Sequence, residues 1–170
     1  MVLWSEIDKS LIENVVLKDK SRFKYDGAPL RFQIPRAWCK WGVSAYKSFQ
    51  IDLSNQDFIN WWRDLESQLC PQTPFSTNLK GANLRLKIDE ATYIFDQEKQ
   101  VTPEVREGLF RGQELSILVD VEGTYFFNGN WGLICRASQV RFYGGSAAEE
   151  SVAAEEPPAA VLEKGKCAFL

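Results

Sequence analysis

Five runs along the chain alternate apolar and polar residues with period two. In P-L-R-F-Q-I, residues 29–34, Leu30, Phe32 and Ile34 share one face, and Arg31 and Gln33 take the other. Phe49, Ile51 and Leu53 repeat the pattern, as do Leu84, Leu86 and Ile88, with Arg85 and Lys87 turned outward. Leu115, Ile117, Val119 and Val121 form the longest set, with Leu118 on the opposite face, and Q-V-R-F-Y (139–143) the last. Successive side chains of a strand leave opposite faces, so this alternation predicts half-buried strands. Between Tyr125 and Gly132 the pair Asn128-Gly129 predicts a two-residue hairpin turn, because both positions must take positive φ. That register sets Phe127 opposite Asn130, Phe126 opposite Trp131 and Tyr125 opposite Gly132, which leaves room for the Tyr125 ring.

The period changes once. Phe58, Trp62, Leu65 and Leu69 recur at i, i+4, i+7 and i+11, which predicts a helix over residues 56–69. Ser54 is the expected cap, with Asp57 three positions on, and Pro71 and Pro74 end the element. A second short helix is expected over Pro103–Leu109, with Pro103 in its first turn. Trp62 belongs to the core, Trp61 to the half-buried edge of the stripe, and Phe126 and Trp131 to core packing. About seven strands with one helix among them predict a mainly-β fold: an oligonucleotide-binding-type (OB-fold-like) barrel with one inserted α-helix, a β-sandwich being the alternative.

Composition divides the chain. Residues 1–143 form the expected domain. Gly144-Gly145-Ser146 reads as a hinge, and 144–170 as a disordered acidic tail, because A-A-E-E-S-V-A-A-E-E-P-P-A-A cannot bury enough apolar surface to offset its ordering entropy. The formal net charge of −3 lies in that tail, where five glutamates face two lysines. The other 143 residues balance, with 18 basic and 18 acidic side chains. Any polyanion must therefore be met by charge gathered on one face.

There is no histidine, no phosphate-cradling glycine loop with its lysine, and no clustered cysteine pair among Cys39, Cys70, Cys135 and Cys167. The expectation is a protein that is not an enzyme and carries no cofactor and no metal. No apolar run approaches the roughly 20 residues of a membrane span, and no charged-then-apolar leader opens the chain. Free thiols in a reducing intracellular compartment follow as the expectation.

The candidate chemistry lies in Q-I-P-R-A-W-C-K-W-G-V-S-A-Y-K, residues 33–47, where rings and cations interleave. Trp38, Trp41 and Tyr46 could stack on bases, and Arg36, Lys40 and Lys47 could meet phosphates. Outward Arg31, Arg85 and Lys87 extend the positive set. Trp41, between Lys40 and Gly42, is the ring this pattern favours most.

Several segments also carry a resemblance. Y-D-G-A-P-L-R-F-Q-I-P (25–35), K-W-G-V (40–43), S-F-Q-I-D-L ahead of F-I-N-W-W-R-D-L-E, and G-T-Y-F-F-N-G-N-W-G-L-I-C-R-A-S-Q-V (123–140) occur in that order. The set resembles the single-stranded DNA-binding proteins of nucleocytoplasmic large DNA viruses, themselves similar to the replication single-strand binders of short-tailed phages. The resemblance spans most of residues 22–143. It implies an oligonucleotide-binding fold and sequence-independent single-stranded DNA binding in viral replication, recombination or repair. It also implies an acidic tail that regulates binding and docks replication proteins, here through Glu149, Glu150, Glu155, Glu156 and Phe169. A second copy of the chain is a further expected partner. Lys164, Gly165, Lys166 and Cys167 stand between the acidic run and Phe169, a departure from such tails. The alternative from another class is a β-rich protein-interaction module tethered to membranes through a prenylated Cys167 in the terminal C-A-F-L.

Overall fold

The computed structural model of the protein describes residues 2–18 and 20–145. An N-terminal hairpin comes first, with β1 (Ile12–Leu17) antiparallel to β2 (Lys20–Tyr25), followed by the short β3 (Ala28–Pro29). Next come β4 (Arg31–Cys39), β5 (Ser48–Asp52), α1 (Gln56–Leu69), β6 (Leu79–Lys80) and β7 (Asn83–Lys87). A small hairpin of β8 (Tyr93–Asp96) and β9 (Lys99–Val101) precedes the two longest strands, β10 (Gln113–Phe127) and β11 (Asn130–Gly145).

The barrel is built from five of these. β4 pairs antiparallel with β5 and β10, β5 with β7, and β10 with β11, and a parallel bridge between β7 and β11 closes the ring. In chain order this is 1-2-3-5-4 returning to 1, the partly open five-stranded Greek-key arrangement of oligonucleotide-binding barrels. The helix falls between the second and third barrel strands. The predicted inward sets fill the interior: Leu30, Phe32, Ile34, Phe49, Ile51, Leu84, Leu86, Leu115, Ile117 and Val119 are all buried. Trp62 is fully enclosed beneath Phe32, at 6.0 Å between ring centres, and Trp61 is half-buried against Trp4 and Phe32.

The structure departs from the sequence reading at several points. Asn55, not Ser54, caps α1: its Oδ1 accepts from the amides of Asp57 (2.8 Å) and Phe58 (3.2 Å). No helix forms over 103–109: the chain is irregular to Arg106 and then turns, and Gly108, at φ +89°, takes a left-handed conformation that a right-handed helix does not accommodate. Gln33 and Leu118 take the face opposite the inward sets, as the alternation places them, but they are paired across β4 and β10 and that face is buried there. The amide of Gln33 also donates to the Val2 carbonyl, so the N-terminal segment lies along the β4 edge there. Among the described residues eleven strands form rather than about seven, and Gly144-Gly145 belongs to β11, not to a hinge. The tail, with Glu149, Glu150, Glu155, Glu156, Cys167 and Phe169, lies outside the described residues.

Candidate nucleic-acid interface

The loop joining β4 to β5, residues 40–47, is built by contacts to the segment that leads into β10. The Val43 amide donates to the Leu109 carbonyl and the Gly108 amide to the Val43 carbonyl, each at 2.8 Å. Gly42 has φ +76°, and a Cβ there would lie 2.8 Å from both the Gly108 and Leu109 carbonyl oxygens. Only glycine fits that turn and that approach. Arg111 Nε donates to the Trp41 carbonyl at 3.3 Å. These bonds hold the loop with Val43 buried beneath it, while Trp41 and Tyr46 stay outside.

Those side chains are the predicted ones. Trp38 is 41% exposed, Trp41 59% and Tyr46 92%. Rings of this size usually lie mostly buried, and three exposed together on one strand end and its loop make a surface that calls for a partner. The Lys40 ammonium sits 4.8 Å from the centre of the Trp41 ring, a cation–π contact that orients the ring and leaves the charge facing solvent. Beneath them Cys39 is sealed, and burial pushes its thiol up to about 11, so it remains a neutral packing group.

The cations divide into two groups. Arg31 is held at the far end of β4 by a bidentate pair with Asp120, at 2.6 and 3.0 Å, which raises its pKa. Arg36 ion-pairs with Glu114 and stacks its guanidinium 3.8 Å over the Tyr143 ring. Lys47 binds Glu90 at 2.9 Å, a bond that holds the Glu90 carboxyl below its ordinary range. By contrast, Lys40 and Lys87 have no carboxylate within ion-pair distance among the described residues, and Arg85 bonds only the Asn78 side-chain oxygen, at 3.3 Å. Arg85 and Lys87 lie outward on β7, opposite Gln50 and Ser48 of β5, and Asp52 of β5 in turn faces Trp38 of β4. Trp38 therefore stands at the Asp52 end of β5 and Lys47, whose carbonyl accepts from the Ile88 amide, at the Ser48 end, with Lys40, Trp41 and Tyr46 on the loop that joins the two. Arg85 and Lys87 lie across from β5, and Arg31 stands apart.

Sequence reasoning missed four contributors. Arg106 and Arg111 belong to the segment packed against the loop and are exposed. At the tip of the β10–β11 hairpin the predicted register holds, with Phe126 and Trp131 rings 5.1 Å apart, but Phe126 is 59% and Phe127 70% exposed. The core assignment of Phe126 is corrected accordingly. The hairpin outruns the barrel, so its last apolar pair has no interior to enter. The turn at Asn128-Gly129 was the available signal, since residues flanking a tip are seldom covered. The Tyr125 ring does lie over Gly132, where a Cβ would come within 2.5 Å of it.

Among the described residues no helix is long and apolar enough to cross a membrane. No protein-family model matches the chain, and no curated protein is significantly similar to it.

Proposed function

We propose that this protein binds single-stranded DNA without reading its sequence, as a non-enzymatic coat of the single strand during replication, recombination or repair of a viral genome. The observation that carries the reading is the set of exposed rings Trp38, Trp41 and Tyr46, with Lys40 among them, on the end of the first barrel strand and the loop that follows it. In barrels of this topology the face of the second and third strands and the loops after the first and fourth are the usual places for an oligonucleotide. Here these are the β5–β7 face with Arg85 and Lys87, the 40–47 loop, and the hairpin tip with Phe126 and Phe127. Each stacked base contributes about 1–3 kcal/mol, whatever its identity.

One observation favours a second reading. The acid pairing of Arg31, Arg36 and Lys47 reduces the free positive charge, which suits a protein-interaction module whose rings meet an apolar partner. Titration with oligo-dT separates the two. A binder shows salt-dependent quenching of tryptophan fluorescence, and Trp41→Ala loses about 1–3 kcal/mol of affinity with its circular dichroism unchanged. A chain that shows no quenching at low salt is not a single-strand binder.

A further inference from the structure

The richest group of cations free of described carboxylates lies outside the barrel. Lys20, Arg22 and Lys24 alternate along β2 and are exposed, while Phe23 between them is buried. None of the three forms an ion pair with a described residue, although Glu13 stands opposite Lys24 in the β1–β2 register. Arg22 donates only to the neighbouring Ser21 carbonyl, at 3.3 Å. Every second residue of a strand recurs at about 6.7 Å, comparable to the spacing of successive phosphates along an extended single strand.

The same strand runs beside the aromatic hairpin. Leu30 ties Phe23 to Val121 through two backbone bonds of 3.1 Å. Two residues further on, Gly123 approaches Ser21 so closely that a Cβ would lie 2.1 Å from its carbonyl oxygen and 3.5 Å from Arg22 Nη1. β2 therefore runs in the opposite sense to β10, with Leu30 between Phe23 and Val121 and with Ser21 against Gly123, so that its Lys20 end points toward the end of β10 where Phe126 and Phe127 are exposed. Exposed cations on β2 and exposed rings thus lie along one strand, β10, away from the 40–47 loop.

We propose that the outer face of β2, with Phe126 and Phe127 beside it, is a second contact for the same single strand, so that the bound track leaves the barrel and continues over the N-terminal hairpin. This rests on the reading of the chain as a single-strand binder. An acidic peptide would satisfy the cations and leave the rings unused, whereas a polyanion with flat faces uses both.

The test replaces Lys20, Arg22 and Lys24 by Gln in the full chain. All three are exposed, and circular dichroism with thermal melting verifies the fold. On oligo-dT longer than the about 4–16 nucleotides one such barrel covers, the slope of log affinity against log salt should become shallower by about 2, at about 0.7 per lost phosphate contact. On an oligonucleotide short enough for the barrel alone the slope should not change. An unchanged slope on the long strand, with Trp41→Ala still losing affinity, overturns this proposal and spares the barrel reading. A synthetic peptide of residues 146–170 that binds the unsubstituted chain but not the triple variant, with the DNA slope unchanged, assigns the strip to the tail and also overturns it. No oligonucleotide binding by the unsubstituted chain removes both readings.

Discussion

Glu90 and Glu114 govern how much charge β4 and the 40–47 loop can present, because each holds a cation that, on the proposed reading, a phosphate would otherwise meet. Exposed ion pairs of this kind are worth little, so a polyanion can displace the carboxylate, at the cost of leaving it near the strand. Glu90→Gln removes that competitor and frees Lys47. The expected result is tighter oligo-dT binding, with a salt slope steeper by about 0.7. A variant that binds no better would show that Lys47 does not face the strand. At this scale the sequence was informative about side-chain placement and silent about pairing. Lys40 beside Trp41 and glycine after it marked an exposed ring, which the structure bears out. Nothing local could join Arg31 to Asp120, 89 positions away, or set Arg36 between Glu114 and Tyr143. Those partners come from strands that meet only when the barrel closes.

Among the elements, the 40–47 loop depends most on one residue. Gly42→Ala would place a methyl group against two carbonyl oxygens at a backbone angle that L-residues avoid. The expected loss is about 1–3 kcal/mol in urea denaturation, with weaker oligo-dT binding because Trp41 moves with the strained turn. Wild-type stability and affinity in this variant would show that the loop does not position the ring. Periodicity identified α1 and the barrel strands, since the alternation of Leu84 to Ile88 and the stripe of Phe58 to Leu69 match their burial. It failed where conformation is set by contacts. Residues 103–112 follow the loop they pack against rather than their own helical pattern. The β1–β2 hairpin was passed over because its basic face has too few apolar residues to register as a strand.

For the molecule as a whole, an evenly charged body conceals an uneven surface: acid-paired arginines on the barrel, bare cations on β7, beside Trp41 and on β2. The tail is rooted near one of these groups. β11 ends at Gly145 opposite Gln113, and Gln113 also faces Cys39, the residue before Lys40. If the chain binds DNA as proposed, an acidic segment that leaves from there would compete with it at high effective concentration. Removing residues 146–170 should tighten oligo-dT binding about tenfold at low ionic strength, the difference fading toward about 1 M salt as screening shortens its range. Equal affinities at every salt concentration would rule the competition out. The barrel's pairing is uneven in another respect. β5 and β7 are joined to each other over five residue pairs, but to the rest of the barrel by one register pair on either side, Trp38 with Asp52 and Lys87 with Arg136. The two strands form a panel fastened by a single stitch at each edge and held otherwise by packing underneath. Such a panel can tilt as a unit without unzipping a ladder, and on the proposed reading that tilt would let the face bearing Arg85 and Lys87 accommodate purines and pyrimidines alike.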